Sequence, residues 1–582
     1  MKKFHYGKRI ISVVLCCSLL LVGCNSGSDE GGSESERFQE YTDELFREDI
    51  VENTINLHYT LAYPEDYGIT DYEITLGDFS LEELDDFEKE LKELKKEVES
   101  FDRDELTKEQ QMTYDLLMDY VETELEVVDL TYYYEPLSPI GGYQAQLPIL
   151  LAEYTFRTEQ DVKDYLALLP CIDDTFADII IYEEARAAEG LFMADFVLET
   201  VLEQCEEFIA DPENNYLIEV FNDKIDEMDE LTEEEKAAYK EQHEELVVTE
   251  VVGGYELLID GLEDLEGRGE NELGMCYLEE GERYYEYLVR CDTGSDSTVE
   301  ELEERIERYL ENCEEEMYGI FEKDPDVYYE LDNYAYSYTD PEDIMEDLIA
   351  QCDKDFPEPP KVNYTIKYVH ESMEEHTSPA FYLTPPIDDT ENNVIYINNE
   401  YVDDDIYTMI AHEGYPGHLY QTVMWENSEH SLVRNLFSYP GYTEGWATYT
   451  EMYSYDISGL SPGLADLFAC DTAYSLGVSA YIDICVNYEG WDVDDVEDYL
   501  SELGIGDAEV AQDIFEAVVE EPSNYLRYFV GYMEIVNLRN RAKKELGSDF
   551  DLKEFHGFMI EVGPAPFYLI EERMYEWIEE QK

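Results

Sequence analysis

The sequence predicts a mainly α-helical protein with one small antiparallel β-sheet. Apolar residues recur at steps of three or four through residues 37–353 and again from Ile406 to Lys582, which is the spacing of a buried helix face. Between these stretches, three short segments are rich in β-branched and aromatic residues, as strands are. Because 44% of the 582 residues are apolar and 13% are aromatic, the chain can bury a large core.

The first region, residues 37–353, contains recognisable helix starts. Thr232 with Glu235 and Ser297 with Glu300 have the spacing of a capping box, in which two side chains satisfy backbone amides at a helix N-terminus. The second pair is followed by one apolar stripe at positions 299, 302, 306, 310, 313 and 317. We therefore expect this region to be a succession of amphipathic helices.

The second region, residues 354–582, begins with the predicted sheet. Its three strands are residues 362–369, Ala380–Leu383 and Asn393–Ile397, separated by turns rich in Pro and Asp. Helical spacing resumes at Ile406 and leads directly into His412. The sheet is the only one that the sequence indicates, so the predicted fold class remains mainly α.

The N-terminus, residues 1–24, has the pattern of a lipoprotein signal peptide. A basic start is followed by the apolar segment Ile10–Val22, which is short for a membrane span. Gly23-Cys24 resembles the end of a lipobox, and residues 25–36 have the Gly/Ser-rich composition of a tether. We expect an extracytoplasmic protein anchored to a bacterial membrane only by a lipid on Cys24. An ordinary secretory signal with a chance cysteine is the alternative.

The charge of the chain is extreme. It carries 36 basic and 143 acidic residues, a net charge of −107, and the acidic residues are spread over the whole sequence. Such a pattern is typical of a heavily solvated surface. It excludes nucleic acid as a partner, because phosphate binding needs clustered Lys and Arg.

Eight cysteines lie outside the export segment, and none forms a CxxC pair. A zinc site made of cysteines is therefore not indicated. Several of the eight fall within helical apolar patterns and are expected to be small core residues, although pairing outside the cell is compatible with the sequence.

The chemistry of the chain centres on the segment from His412 to His418, which reads His-Glu-Gly-Tyr-Pro-Gly-His. A zinc hydrolase needs neutral imidazoles to hold the metal and a carboxylate to take a proton from water. On a regular helix, however, six residues correspond to a rotation of about 240°, which would point the two imidazoles apart. The site therefore requires a break at Pro416-Gly417.

A third ligand is expected from the next helical segment, which begins near Pro440. Glu444 lies 26 residues after His418, a suitable distance for a neighbouring helix, and Glu451 shares its face. We predict that His412, His418 and Glu444 bind Zn²⁺, that Glu413 is the base, and that Glu451 orients a histidine. The alternative is a buried polar cluster without metal, since in a chain this acidic any histidine has a good chance of a Glu neighbour. The isolated residues His370, His376 and His430 are expected to be incidental.

The motif resembles that of a known family. His-Glu-Gly-Tyr-Pro-Gly-His, then Gln421 and Thr443-Glu-Gly-Trp-Ala447, is similar to bacterial proteins of the domain of unknown function 885 (DUF885) family. Further matches include Gly142-Tyr-Gln-Ala-Gln-Leu-Pro148, Tyr528-Phe-Val-Gly531, Leu538-Arg539 and Phe555-His556. Many members carry a second histidine where this chain has Leu419, which favours His418 as the ligand.

The family is similar in turn to largely helical, gluzincin-type zinc oligopeptidases with a deep substrate cleft. The resemblance implies peptidase chemistry on short peptides. The C-terminal part offers the helper residues that such peptidases require: Tyr528 and His556 as donors to an oxyanion, and Arg539 as a ligand for a substrate carboxylate. The alternatives are a core tyrosine, a histidine satisfied by structural hydrogen bonds and a structural ion pair. An extended peptide could pair with an edge of the small sheet, at Ala380–Leu383 or Asn393–Ile397.

Two other functions fit the same residues. The first keeps the metal and hydrolyses another amide or an ester, and the second is a non-enzymatic surface lipoprotein that binds peptides or metal. Glu413 distinguishes them, because a pure binding protein has no need for a carboxylate beside the metal. The sequence indicates neither the substrate preference nor the oligomeric state.

Overall fold

The computed structural model describes residues 33–331, 333–369, 378–399 and 406–582. The predicted signal peptide and Cys24 therefore lie outside the described residues, as do His370 and His376. The first helix begins at Glu34, where Ser33 and Glu36 form a capping box. The predicted tether, residues 25–36, was thus extended too far, because its last residues supply a helix start.

Helices make up the first region. They are α1 (Glu34–Asp49), α2 (Thr54–Thr60), α3 (Leu81–Val98), α4 (Lys108–Val127), α5 (Tyr143–Glu153), α6 (Glu159–Leu168), α7 (Cys171–Ala188), α8 (Asp195–Phe208), α9 (Tyr216–Glu227), α10 (Glu233–Leu246), α11 (Val252–Glu263), α12 (Gly281–Thr293), α13 (Val299–Lys323), α14 (Val327–Glu330) and α15 (Pro341–Cys352).

The second region holds the sheet and the remaining helices. They are β1 (Asn363–Tyr368), β2 (Ala380–Leu383), β3 (Asn392–Ile397), α16 (Ile406–Glu413), α17 (His418–Glu426), α18 (Pro440–Ile457), α19 (Pro462–Ile484), α20 (Val493–Glu502), α21 (Ala508–Glu520), α22 (Asn524–Leu546), α23 (Leu552–Val562) and α24 (Phe567–Gln581). The mainly α fold class is confirmed. Among the described residues, no helix combines the length and apolarity that a bilayer span requires.

Helix capping matches one of the two predicted starts. Thr232 and Glu235 form the capping box of α10, as expected. The start of α13 is shifted by one residue, because Thr298 is the N-cap and pairs with Glu301 instead of Ser297 with Glu300. Both pairs of residues have the three-residue spacing of a capping box. In the pair that forms, the helix begins at Val299, which is buried in the core.

The sheet is mixed, and the prediction of an antiparallel sheet was wrong. The strand order is β1-β3-β2, with β3 parallel to β1 and antiparallel to β2. Because β3 lies between the other two strands, the connection from β1 to β3 passes through β2 and leaves β1 and β3 parallel. Asn393–Ile397 is therefore central and cannot receive an added strand. In the described part of the chain β2 pairs with β3 alone.

The largest core lies around one face of the sheet. It contains Ile395 of β3, Ile410 of α16, Trp446 of α18 and Ile535 of α22, and it also takes up Leu116 from α4. Residues from both predicted regions therefore share this core. The eight described cysteines are free thiols, and four of them are buried: Cys205, Cys313, Cys352 and Cys485.

Helices α18 and α22 approach each other unusually closely. Gly531 of α22 lies against Gly441 and Gly445 of α18, and Arg539 of α22 lies beside Tyr449 of α18, so the two helices run parallel. A Cβ atom added to Gly445 would lie 2.4 Å from the carbonyl carbon of Gly531. One added to Gly531 would lie 2.1 Å from the carbonyl oxygen of Gly441. Only glycine allows backbones to come this close.

Candidate metal centre

Helix α16 carries the first candidate ligand to the edge of the core. Its residues Ile406, Tyr407, Ile410 and Ala411 are buried, so one face of the helix is fixed against the sheet and the neighbouring helices. His412 follows in the last turn and is itself buried. The position of its ring is thus set by the packing of the preceding turns.

The chain leaves the helix immediately after Glu413. The amide of Gly417 donates to the carbonyl oxygen of Ala411 at 3.0 Å, and the Trp446 indole donates to the carbonyl oxygen of Pro416 at 2.9 Å. A Cβ atom at Gly417 would lie only 1.8 Å from the carbonyl oxygen of His412. The predicted break is confirmed, since α17 starts as a separate helix at His418.

This break brings the two histidines together with Glu444 of α18. The Nε2 atoms of His412 and His418 lie 3.6 and 3.3 Å from Oε2 of Glu444. The two rings have centroids 4.9 Å apart and planes 80° apart. One ligand atom from each of the three residues lies within 4.8 Å of the others. In the described part of the chain, no other group of His, Cys, Asp and Glu side chains meets this criterion.

The donor set suits zinc. Two imidazole nitrogens and one carboxylate oxygen are a ligand combination found in catalytic zinc sites, which keep one coordination position open. Glu413 and Glu451 add two more carboxylates to this small buried space, so a bound cation would offset the excess of negative charge. The three predicted ligands therefore fit the metal that the sequence predicts, and their role as ligands stays a prediction.

The electrostatics of the cluster reflect these contacts. Burial alone would raise the pKa of Glu444, but His418 and His412 outweigh it and lower the pKa to about 2. Burial would lower the pKa of His412, yet its bonds to Glu444 and Glu451 raise it well above the ordinary value. Burial raises the pKa of Glu413, although both histidines oppose the shift. The cluster thus favours positive charge among its carboxylates.

Glu413 is held by a contact that the sequence did not reveal. The backbone amide of Tyr382 in β2 donates to Oε2 of Glu413 at 2.8 Å. The contact joins the sheet to the end of α16. A backbone donor leaves no side-chain signature, so residue type and spacing could not have identified Tyr382.

The three predicted helper residues, Tyr528, His556 and Arg539, have different surroundings in the structure. Tyr528 is buried in α22, and its role as an oxyanion donor stays a prediction. Arg539 donates to the Tyr449 hydroxyl at 3.4 Å and lies over the Tyr449 ring, 5.4 Å from its centroid. The predicted carboxylate ligand is therefore already engaged with an aromatic residue of α18.

His556 lies in the core, and both of its ring nitrogens have partners within the protein. Its ring is fully buried and stacks on Phe356 with centroids 4.1 Å apart. Nδ1 lies 2.6 Å from the carbonyl oxygen of Asp355, and Nε2 lies 2.9 Å from the Tyr449 hydroxyl. Burial lowers the pKa of His556 to about 4, so the neutral ring donates through Nδ1 and accepts through Nε2. Both nitrogens are thus engaged with protein groups, and the role of His556 as an oxyanion donor stays a prediction.

His430 is structural, as expected. It stacks on Trp425 with centroids 4.0 Å apart, and its two ring nitrogens lie near Ser428 and Asn435. Trp425 lies in the last turn of α17, and none of these contacts involves the three candidate ligands. The histidine therefore belongs to the packing of this corner.

Solved structures with the same fold exist. A structure described as that of the putative lipoprotein from Colwellia psychrerythraea has a TM-score of 0.80 and 19% identity, and the match covers 94% of this chain and 100% of that one. A putative lipoprotein of unknown function from Shewanella oneidensis has a TM-score of 0.64 and 17% identity, with the same coverage. At these identities the likeness shows the fold alone.

Comparison with curated proteins gives no match. A family model does match, over residues 64–574, and its description is bacterial protein of unknown function (DUF885). The match spans most of the 582 residues, including every predicted metal ligand. The chain therefore belongs to the DUF885 family.

Proposed function

We propose that the protein is a zinc-dependent peptidase. The observation that carries the proposal is the meeting of His412, His418 and Glu444 from three different helices, with Glu413 beside them. A site that only stored metal would not need the fourth residue, whereas a hydrolase requires a base at this position. Zinc supplies Lewis acidity for the carbonyl of a scissile amide.

The residues of the chain have distinct tasks in this proposal. His412, His418 and Glu444 hold the metal, and Glu451 keeps the His412 ring in the tautomer that leaves Nε2 free. Glu413 takes a proton from the attacking water and passes it to the leaving amine. The amide of Tyr382 fixes one oxygen of Glu413, which leaves the other to face the water.

The position of β2 supports a peptide as the substrate. Its outer edge lies at the proposed base, because Tyr382 is a residue of this strand. An extended peptide that pairs with such an edge is aligned by main-chain hydrogen bonds, whatever its side chains are. Of the two strands considered from the sequence, Ala380–Leu383 is the one that can act in this way.

The deciding experiment compares the wild type with Glu413→Gln, using a mixture of short peptides and a measurement of bound zinc. We expect Glu413→Gln to retain zinc and to lose cleavage by a factor on the order of 10²–10⁴, which is the usual contribution of a general base. Glu429→Gln, at an exposed residue near the end of α17, is the matched control and should cleave as the wild type does. Equal cleavage by Glu413→Gln would contradict the mechanism, and a folded wild type that binds no zinc would contradict the site.

We also propose that the protein is attached to the outside of a bacterial membrane by a lipid on Cys24. The signal pattern of residues 1–24 supports this, and both solved structures of the same fold are described as putative lipoproteins. Growth with a labelled fatty acid should label the wild type and leave Cys24→Ser unlabelled. A labelled Cys24→Ser protein, or an unlabelled wild type, would contradict the anchor.

A further inference from the structure

The second face of the sheet lines a cavity of about 600 Å³. Successive residues of a strand point to opposite faces. Tyr382, Ile395 and Ile397 face the core that contains α16, whereas Leu383, Val394 and Tyr396 face the cavity. The opposite wall comes from the segment between α5 and α6 and from the end of α9. The cavity therefore lies between the sheet and the first helical region.

Three basic residues converge on this cavity. Lys224 comes from α9, Lys367 from β1 and Arg157 from the segment after α5. In the described part of the chain, no carboxylate lies within ion-pair distance of any of the three. This is unexpected in a chain with 143 acidic and only 36 basic residues. Their charges are available to a ligand.

The contacts of these residues hold them in place. Lys224 Nζ donates to the carbonyl oxygens of Ala152 and Tyr154, the second at 3.0 Å, which leaves one of its three hydrogens. Lys367 Nζ lies 3.5 Å from the Tyr396 hydroxyl and 5.6 Å from the centre of that ring. Burial lowers the pKa of Lys224 to about 8; Glu153 opposes this shift, and Lys367 adds to it. A bound anion would relieve the repulsion between the two ammonium groups.

One carboxylate of the cavity acts directly on this wall, because the charge of Glu153 raises the pKa of Lys224 more than the charge of Lys367 lowers it. Glu153 accepts the hydroxyl hydrogen of Tyr396 at 2.6 Å. Glu227, Asp229 and Glu230 are exposed, so water and salt screen them. The cavity thus combines a basic inner part and an apolar wall with an acidic outer rim. A carboxylate on a short aliphatic stem suits this combination better than a phosphate, whose larger negative charge the rim would repel.

The cavity lies next to the proposed catalytic base along β2. The amide of Tyr382 donates to Glu413, and the next residue, Leu383, lines the cavity. Leu383 is thus the part of the cavity wall that adjoins Tyr382, whereas Lys367 lies on β1, on the other side of β3. A peptide held along β2 would present one group to Glu413 and a neighbouring group to the cavity.

We propose that Arg157, Lys224 and Lys367 form a subsite for a carboxylate of the substrate, either its C-terminal carboxylate or the side chain of an acidic residue. This inference rests on the proposed peptidase function. It names the preferred substrates as peptides with a carboxylate close to the scissile bond. The subsite would also counter the repulsion that a chain of net charge −107 exerts on such peptides.

The test compares Lys367→Gln with the matched control Lys361→Gln. Lys361 is also an exposed lysine, six residues earlier, but it does not line the cavity. Each protein receives matched peptides with a free or an amidated C-terminus, and matched peptides with Glu or Gln at each position. Wild type and Lys361→Gln should prefer one carboxylate form by about tenfold in KM, as expected for one charge-assisted hydrogen bond. Lys367→Gln should lose most of this preference, because its KM rises for the carboxylate form of the peptide.

The two pairs of peptides identify the source of the carboxylate, because only one pair will show the preference. No preference in the wild type, or an equal loss on charged and neutral peptides in Lys367→Gln, would overturn the subsite. Arg157→Gln gives a second test from the opposite wall with the same expected loss.

Calorimetric binding of the same peptides to Glu413→Gln separates this inference from the proposed function. In one outcome the wild type cleaves no peptide, but carboxylate peptides bind to Glu413→Gln more tightly than neutral ones and lose that advantage in Glu413→Gln/Lys367→Gln. The peptidase proposal then fails and the subsite stands. If peptides are cleaved and bind without any such advantage, the subsite fails and the peptidase proposal stands.

Discussion

Oε2 of Glu451 lies 3.2 Å from Nδ1 of His412, on the side of the ring opposite to Glu444. The carboxylate accepts the hydrogen of Nδ1, so Nε2 carries the free lone pair that a metal needs. Both Glu444 and Glu451 come from α18, two helical turns apart. One helix thus supplies a predicted ligand and also orients a second one.

This arrangement predicts the effect of Glu451→Ala. Without its acceptor, the His412 ring can take either tautomer, and we expect zinc affinity to fall about 10–100-fold, as for other residues that support a ligand. Competition with a chromogenic chelator measures the change. Glu429→Ala, at an exposed residue, should leave the affinity unaltered, and an unaltered affinity in Glu451→Ala would show that the ring needs no such support.

The break between α16 and α17 predicts the effect of Gly417→Ala. The added Cβ would lie 1.8 Å from the carbonyl oxygen of His412, so the backbone must shift and His418 with it. We expect a loss of zinc together with a destabilisation of about 3 kcal/mol, at the upper end of the usual cost of overpacking. Metal analysis and urea unfolding measure the two effects.

Gly319→Ala is the matched control for that substitution. Gly319 lies within α13, and a Cβ there meets nothing within 4 Å. Alanine should stabilise this helix by up to about 1 kcal/mol and leave zinc binding intact. If both variants kept zinc equally well, the tight turn would not be what places His418.

Glu426 predicts a specific dependence of stability on pH. Burial raises its pKa to about 8, and His430, 3.7 Å away, stays neutral because burial lowers its pKa to about 4. At a pH between about 4 and about 8, Glu426 stays protonated in the folded chain. In the unfolded chain it loses its proton near the ordinary pKa of a glutamate. The native state therefore binds more protons, and its stability falls as the pH rises from 5 to 8.

Glu426→Gln removes this penalty. We expect its stability relative to the wild type to increase between pH 5 and pH 8, by on the order of a few kcal/mol at the upper end. Urea unfolding at the two pH values measures the difference. Glu429→Gln, three residues on and exposed, should show no such change. A constant difference between Glu426→Gln and wild type would mean that Glu426 is already ionised at pH 5.

His556 predicts a loss of stability without a specific loss of chemistry. His556→Ala removes a buried ring and leaves the Tyr449 hydroxyl and the Asp355 carbonyl without their partner. We expect a destabilisation of about 2–4 kcal/mol. At a temperature where the variant is fully folded, its kcat should stay within a few-fold of the wild type. A fall on the order of 10² in kcat for the folded variant would instead support the predicted role of His556 as an oxyanion donor.

The sequence could predict features that depend on local spacing. The mainly helical fold follows from apolar periodicity, and the break at Pro416-Gly417 follows from the angle between His412 and His418 on a regular helix. The capping box at Thr232 is equally local, since three residues separate the two partners. In each case the cause lies within a few residues of its effect.

Features that depend on distant parts of the chain could not be predicted. The strand order β1-β3-β2 is decided by how the sheet packs on the helices, and it cannot be predicted from the residue composition of the strands. The contact from Tyr382 to Glu413 uses a backbone amide that every residue but proline possesses. The place of His556 between Tyr449 and Asp355 is likewise set by distant parts of the chain and has no local signature in the sequence.

The glycine contact between α18 and α22 limits how the family can diverge. Glu444 lies between Gly441 and Gly445 in the sequence of α18. The distance between the backbones of α18 and α22 therefore helps to fix the position of its carboxylate. A relative that gained a side chain at any of the three glycines would have to move α18 outward and carry the candidate ligand away from both histidines. The line along which the two helices touch is therefore expected to stay free of side chains wherever the candidate ligand is kept.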